Sequence, residues 1–251
     1  MKLSVEDADE RPVGVLLLES TYMALPGGMG RRDSYEFSVI QEKVRGAQTE
    51  LVTSPAFAEL TEKYVAGAAK LSDAGVSMIT ANCGFSVVFQ EPVSRAVDLP
   101  TMMSSLLLAP LLSRIFNDRI GILTFSAADI DESRRAAAGW PAAFNPPVAD
   151  VSGSAAWMAM RSRTRPDLDY ARMEADLRDV VLSFCEQHRP RAILVECTAM
   201  LPFETALHRW TALPIFGITT FLHYLVERIN GVRSADQIAV GVSMPSSKTP
   251  V

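Results

Sequence analysis

The feature that most constrains the fold is a pattern that occurs twice along the chain. The segments SMITANCGF (residues 77–85) and AILVECTAM (residues 192–200) each have the apolar character of a buried strand and then reach a polar residue and a cysteine. Cys83 precedes Pro100 by 17 residues (100 − 83), and Cys197 precedes Pro214 by the same 17 (214 − 197), with a leucine before each proline. We interpret the chain as a duplication, in which each half of ~110 residues carries a strand, a helix, a strand that ends at a cysteine and a further strand.

Short apolar runs alternate with longer segments of helical periodicity, a pattern typical of a parallel α/β sheet. Val13–Leu18 is predicted as the first strand, because its unbroken apolar character suits a strand covered on both faces. Ser54 and Pro55 predict the start of a helix, by capping and by fitting its first turn. Helices are predicted over residues 55–73, 106–116, 127–138, 169–188, 203–210 and 221–230. Further strands are predicted over residues 76–81, 121–123 and 191–196 and at both Leu-Pro segments. The segment GWPAAFNPPV is predicted to be a loop.

Composition and charge exclude several classes of function. A chain of 251 residues that is 48% hydrophobic can bury one large core or two modest ones. Its net charge of −5, with no cluster of lysine and arginine, argues against a nucleic-acid partner or a polybasic membrane contact. The polar start MKLSVEDADE resembles no targeting peptide, and the longest apolar run is too broken to span a bilayer. Three cysteines, an odd number, favour a reducing compartment, so we expect a soluble cytoplasmic protein.

The two repeated cysteines are candidates for acid–base chemistry. Ligands of open α/β sheets bind beyond the carboxyl ends of the strands, where the following helices begin. A helix start is expected to lower the pKa of a thiol toward neutrality and to favour a bound carboxylate. If the lobes face each other, Cys83 and Cys197 lie on opposite sides of a cleft. One thiolate can then remove a proton from a carbon next to a carboxylate, while the opposite thiol donates a proton to the other face.

The motifs TANCGF and VECTAM resemble the paired cysteine motifs of the aspartate/glutamate/hydantoin racemase superfamily, over about residues 13–230. The resemblance implies an α/β fold of two pseudo-symmetric lobes, each a mostly parallel four-stranded sheet flanked by helices, with the active site between the lobes. It implies Cys83 and Cys197 as the catalytic base and acid, no cofactor and no metal. Residues 13–104 plus 220–240 would form the first lobe and 105–219 the second, with loosely ordered tails at 1–12 and 241–251. A homo-oligomer, a dimer or larger, is also expected.

The same resemblance suggests which residues would contact a small carboxylate-bearing substrate. They flank the cysteines or follow the first strand of each half: Asn82, Gly84, Phe85, Thr198, Glu19, Ser20 and Ser126. Ala199 and Met200 stand where glutamate racemases often have a histidine, so the substrate is not specified. Arg31 and Arg32 in the segment GGMGRR either meet a substrate carboxylate or belong to a solvated turn.

Three functions remain open at this point. Two cysteines favour a cofactor-independent racemase or epimerase over the decarboxylase branch of the family, which works with one cysteine. A cis–trans isomerase of the maleate type, with one nucleophilic cysteine, is the first alternative. A non-catalytic protein that keeps the fold and binds a ligand is the second. Cys185 lies within a predicted helix beside Phe184, and packing explains it best.

Overall fold

The computed structural model describes residues 11–19, 25–161 and 167–239. In this part of the chain, eight strands form two parallel four-stranded sheets, ordered β2-β1-β3-β4 and β6-β5-β7-β8. The strands of the first sheet are β1 Val13–Leu18, β2 Val39–Val44, β3 Met78–Ala81 and β4 Thr101–Met102. Those of the second are β5 Ile120–Thr124, β6 Val148–Asp150, β7 Ala192–Val195 and β8 Ile215–Phe216. Because the strand orders correspond, the predicted pair of pseudo-symmetric α/β lobes is confirmed.

Helices cover the sheets. The α-helices of the described residues are α1 Thr49–Thr53, α2 Thr61–Asp73, α3 Gln90–Ala96, α4 Ala109–Ile115, α5 Glu132–Ala137, α6 Ala155–Ala159, α7 Tyr170–His188, α8 Glu204–Thr211 and α9 Ile218–Ala239. Several of them follow a 3₁₀ turn, and the 3₁₀ helices relevant to the site are Gly84–Phe89, Ala127–Asp129 and Thr198–Phe203. None of the helices within the described ranges is long and apolar enough to cross a membrane.

The structure corrects several sequence-based predictions. The continuous helix predicted over residues 55–73 is a 3₁₀ helix, Pro55–Leu60, followed by α2, although Ser54 caps its start as expected by accepting from the N–H of Ala56 (3.1 Å). Strands β2 and β6 were not predicted. Both lie at the edge of their sheet, where β2 is half-exposed and β6 has only three residues, so neither has the apolar run by which a central strand is recognised.

Register places the end of each central strand at an equivalent point in its lobe. Leu16 of β1 is paired with Ala81 of β3, and the next residue, Asn82, donates its N–H to O of Leu16 (3.0 Å). In the second lobe Leu123 of β5 is paired with Val195 of β7, and Glu196 donates its N–H to O of Leu123 (2.8 Å). The residue that precedes each repeated cysteine is therefore held at the same position relative to its sheet.

The last helix, α9, contacts the first lobe. Its buried residues Ile218, Leu222 and Val226 belong to the apolar cluster that also contains the core of the first sheet. The ring of His223 lies 5.1 Å from that of Phe37, edge to face. The division of the chain into lobes at residues 104 and 220 stays a prediction. The predicted tails at 1–12 and 241–251 lie outside the described residues apart from Arg11 and Pro12.

We predict that Gly121→Ala destabilises the second lobe. A Cβ at this position of β5 would lie 2.3 Å from Cε1 of Phe184, the α7 residue that packs over the strand. Overpacking of this kind typically costs ~1–3 kcal/mol, so the urea midpoint should fall. Gly153→Ala is the matched control, because a Cβ there meets no atom within 4 Å. Combining Gly121→Ala with Phe184→Leu should recover part of the loss, and equal midpoints for both alanine variants would contradict the prediction.

Candidate active site

A cavity of about 140 Å³ lies at the carboxyl ends of the central strands of both sheets. A cavity of this size suits a small metabolite rather than a drug-sized ligand. Both lobes contribute to its wall: the first through Asn82, Cys83, Gly84 and Phe85, and the second through Phe125, Glu196, Cys197 and Thr198. The structure therefore brings the two repeated cysteine motifs to one site.

Each cysteine directly follows a buried strand and precedes a 3₁₀ helix. Cys83 is the N-cap residue of Gly84–Phe89, and Cys197 is the N-cap residue of Thr198–Phe203. Both side chains are partly open to the cavity and otherwise enclosed by protein. The third cysteine, Cys185, packs against the apolar cluster of the second lobe and does not line this cavity.

Burial keeps both thiols protonated near neutral pH. Together with the nearby charge of Glu196, burial raises the pKa of Cys83 to about 12, although the N–H groups of Phe85 and Ser86 act in the opposite direction. The pKa of Cys197 is raised by burial, and the charge of Glu196 contributes again. The expectation that the helix starts bring the thiol pKa toward neutrality is therefore wrong for the empty site, because desolvation outweighs the N–H groups.

Two polar residues beside the cysteines connect the lobes at the cavity. Thr198 donates its hydroxyl to O of Asn82 (2.6 Å), a bond between residues 116 positions apart. Asn82 in turn accepts the N–H of Leu18 at Oδ1 (2.9 Å), which leaves its Nδ2 group as the end of the amide that can serve a ligand. The hydroxyl proton of Thr198 is already used in the bond to Asn82. Its predicted role in holding a substrate carboxylate stays a prediction.

Glu196 lines the cavity but was not among the site residues predicted from the sequence. It is 2% exposed and lines the cavity between Val195 and Cys197, and its Oε2 accepts the hydroxyl of Thr124 (2.6 Å). Burial raises its pKa to about 7, against the opposing effect of the Thr124 hydrogen bond. A charged residue at the end of an apolar strand, next to a repeated cysteine, is the signal that could have identified it.

Arg134 was also missed, and it joins the lobes from behind the cavity wall. This α5 residue is fully buried, is paired with Asp131 (2.7 Å) and donates to O of Val52 in the first lobe (2.5 Å). Its guanidinium lies 5.8 Å from the ring centroid of Phe85. Its positive charge lowers the pKa of Cys83 against the larger effect of burial. Arg134 therefore supplies a permanent positive charge near the thiols.

Of the remaining predicted contacts, Glu19 and Ser126 do not line the cavity. Oε2 of Glu19 accepts the N–H of Gly46 (2.7 Å), so this carboxylate stabilises a turn in which Gly46 has a φ of 79°. Ser126 occupies the N-cap position of the Ala127–Asp129 helix without a side-chain capping hydrogen bond, whereas Phe125 and Asp129 line the cavity. Ser20 lies outside the described residues. The substrate-binding roles of Glu19, Ser20 and Ser126 stay predictions.

The segment GGMGRR does reach the site, through its glycines and methionine rather than its arginines. Gly28, Met29 and Gly30 line the cavity. Arg31 pairs instead with Asp33 (2.5 Å) at the surface, and Arg32 donates to Gln41 (3.4 Å). No group of three or more histidine, cysteine, aspartate or glutamate side chains is placed to hold a metal ion within the ranges that the structure describes.

Comparison with known proteins finds no family model that matches this chain. A dimethylsulfoniopropionate lyase of Durusdinium sp. clade D is 29% identical over 226 residues, covering 86% of this chain and 74% of that protein. Dimethylsulfoniopropionate lyase 3 of Emiliania huxleyi is 26% identical over 234 residues, covering 85% of this chain and 58% of that protein. The chain thus spans most of the first relative and little more than half of the second.

Solved structures share the fold at low sequence identity. Arylmalonate decarboxylase has a TM-score of 0.56 at 17% identity, over 88% of this chain and 93% of that protein. Aspartate racemase of Picrophilus torridus has a TM-score of 0.54 at 11% identity, over 88% and 94%. Allantoin racemase of Pseudomonas fluorescens has a TM-score of 0.55 at 13% identity, over 95% and 99%. The fold that the resemblance to the racemase superfamily implied is confirmed.

We predict that neither cavity thiol reacts rapidly with iodoacetamide at pH 7 when the site is empty. The thiolate is the reactive form, and burial raises the pKa of both Cys83 and Cys197 well above neutrality. Alkylation at each site, followed by peptide mass spectrometry, should accelerate continuously between pH 7 and pH 10. Rapid alkylation of either residue that levels off below pH 8 would contradict this, and denatured protein supplies the control rate.

We predict that Glu196→Gln changes how stability depends on pH. A carboxyl whose pKa is raised to about 7 in the folded state binds its proton more tightly than it does in the unfolded chain. Folding stability is therefore lost as the pH rises from 5 to 8, by on the order of 2 kcal/mol for this group. We compare the free energy of unfolding in urea of the glutamine variant with that of the wild type. The difference, variant minus wild type, should be larger at pH 8 than at pH 5 by that amount. The exposed substitution Glu132→Gln should leave the difference between the two pH values unchanged, and parallel curves for wild type and Glu196→Gln would disprove the assignment.

Proposed function

We propose that this protein is an enzyme that removes a proton from the carbon next to a carboxylate and expels a leaving group from the following carbon. The substrate that we propose is dimethylsulfoniopropionate or a close analogue. The observation that carries the proposal is the meeting of two cysteine motifs, from the two halves of the chain, at one small cavity. The similarity to dimethylsulfoniopropionate lyases over 86% of this chain supports elimination as the outcome.

The elimination balances without a redox partner. A cysteine thiolate takes the proton from the carbon next to the carboxylate, and the electron pair of that C–H bond forms a carbon–carbon double bond. The bond between the next carbon and sulfur breaks, and its electron pair leaves with the sulfur. The products are acrylate, neutral dimethyl sulfide and a protonated cysteine, which returns its proton to solvent before the next cycle.

The proposed chemistry assigns a task to each part of the cavity wall. Removal of the proton places negative charge on the substrate carboxylate, which hydrogen-bond donors must stabilise. We assign this task to Nδ2 of Asn82 and to the first N–H groups of the two 3₁₀ helices. Phe85 and Phe125 supply the apolar wall that suits the methyl groups of the leaving sulfide. We keep as part of the proposal that the enzyme acts without a cofactor, in the cytoplasm and as a homo-oligomer.

Racemisation is the second candidate, and the presence of two thiols favours it. An elimination needs one base, whereas inversion needs a base on one face of the carbon and an acid on the other. Cys83 and Cys197 both line the cavity, as such a two-sided reaction requires. In a racemisation the substrate would be an amino acid, a hydantoin or a related small acid, and no group would leave the substrate.

We predict that substitution of the cavity cysteine that acts as the base strongly slows the release of dimethyl sulfide. Serine is far less acidic than cysteine, so the variant that lacks the base should lose roughly 10²–10⁴-fold in rate. Headspace gas chromatography after addition of dimethylsulfoniopropionate measures this for Cys83→Ser and Cys197→Ser. Cys185→Ala is the matched control and should keep full activity, because that thiol packs outside the cavity. Wild-type rates in both serine variants would disprove the proposed mechanism.

The two candidate reactions predict different patterns for the same variants. One-base elimination predicts unequal losses, and substrate deuterated on one face of the reacting carbon identifies which cysteine removes the proton. Racemisation predicts that both variants lose inversion in D₂O, while each retains deuterium exchange with one enantiomer, opposite for the two. A wild-type protein that binds small carboxylates but performs neither reaction would instead be a binding protein.

A further inference from the structure

Glu196 is a buried carboxyl group whose hydrogen bonds are incomplete. Its Oε2 accepts the hydroxyl of Thr124, but its Oε1 is buried and makes no hydrogen bond within the part of the chain that the structure describes. A buried carboxylate with an unpaired oxygen is costly, because it loses its hydration without receiving full compensation. A glutamine oxygen could accept the Thr124 hydroxyl equally well, so this hydrogen bond does not require the charge of Glu196.

The first lobe has a glycine, Gly84, at the point where the carboxyl group of Glu196 lies. A Cβ on Gly84 would lie 2.1 Å from Oε1 of Glu196 and 2.6 Å from its backbone O, so any other residue at this position would displace it. Gly84 directly follows Cys83, and Glu196 directly precedes Cys197. The carboxyl is thereby held at the cavity wall close to both catalytic motifs.

The charges around the cavity favour a positively charged ligand. Arg161 lies at the wall but pairs with Glu50 (3.5 Å) and stacks over the ring of Phe125 (5.4 Å). Arg134 lies behind the wall and pairs with Asp131. Both arginines thus have acidic partners, whereas Asp129 and Glu196 add negative charge to the lining.

The rest of the wall suits a cation that carries methyl groups. Phe85 and Phe125 provide aromatic rings, and Met29 and Met160 provide polarisable thioethers. Aromatic faces attract cations such as quaternary ammonium groups, most strongly where water is excluded. A sulfonium or methylated ammonium group has little capacity to donate hydrogen bonds, so it can lie beside a carboxylate that is already bonded on one side.

We propose that Glu196 is the counter-charge for a cationic head group, so that the site selects carboxylates bearing a sulfonium or methylated ammonium group. This inference rests on the proposed function, because it assigns the cavity to a small carboxylate substrate. It goes further by naming the residue that distinguishes a charged head from an uncharged one. It also extends the ligands of the site from sulfonium compounds to ammonium compounds of the same shape.

Two ligands of nearly the same shape test the proposal without turnover. 3-(Trimethylammonio)propionate has a quaternary cationic head on a propionate, and 4,4-dimethylpentanoate has an uncharged tert-butyl head on the same chain. We expect isothermal titration calorimetry to show that the wild type binds the cationic ligand roughly ten- to a hundredfold more tightly, because only this head is attracted by the carboxylate of Glu196. In Glu196→Gln this preference should fall below about threefold, through weaker binding of the cationic ligand alone.

Glu132→Gln is the matched control, because it removes an exposed acidic side chain of α5 that does not line the cavity. It should keep the preference for the cationic ligand. Equal weakening of both ligands by Glu196→Gln would indicate a structural role and overturn the inference, as would an unchanged preference, or its loss in Glu132→Gln.

The outcomes separate this inference from the proposed function. A Glu196-dependent preference without release of dimethyl sulfide would support the counter-charge and reject the elimination. Release of dimethyl sulfide by a wild-type protein that binds both ligands equally would reject the counter-charge and keep the elimination. Failure to bind either ligand would reject both, because the cavity would then not hold a small carboxylate.

Discussion

Parallel pairing of the central strands is the constraint on which the site depends. β1 pairs with β3, and β5 pairs with β7, in registers that end each cysteine-bearing strand at the same level of its sheet. The N–H groups of Asn82 and Glu196 continue the ladders by one further bond, to Leu16 and Leu123. A shift of one residue in either register would turn the following cysteine away from the cavity. Backbone hydrogen bonds therefore determine where the two cysteines lie relative to the cavity.

Desolvation is the second determinant, and it acts on three acidic groups at once. The two thiols and the carboxyl of Glu196 share one enclosed wall, and burial raises the pKa of each. A negative charge on any one of them opposes ionisation of the others, as the effect of Glu196 on both cysteines shows. Burial therefore keeps the thiols protonated near neutral pH, and a positively charged ligand would favour formation of the thiolate by offsetting the charge of Glu196.

The sequence predicted the features that depend on local pattern. The apolar run of β1, the cap at Ser54 and the repeated cysteine spacing all have direct signals in the residues. Strands β2 and β6 lacked such a signal, because an edge strand shares its composition with loops. Glu196 has a local signal, an acid between an apolar strand and a repeated cysteine, but this signal does not reveal its contact with Gly84 across the lobes. Arg134 has no local signal, because its importance comes from contacts with Val52 and Phe85, which lie far away in the chain.

The duplicated halves differ at the position that precedes each cysteine, where the first lobe has Asn82 and the second has Glu196. Two identical lobes would enclose an electrically symmetric space, in which a ligand with a positive and a negative end could lie in either direction. The exchange of a neutral amide for an acid removes that equivalence and gives the space a direction. In the binding mode that we propose, the cationic end would lie toward Glu196 and the carboxylate end toward Asn82, so that each face of the reacting carbon would be presented to one particular thiol. Divergence at this repeated position would then help to give the two cysteines separate roles.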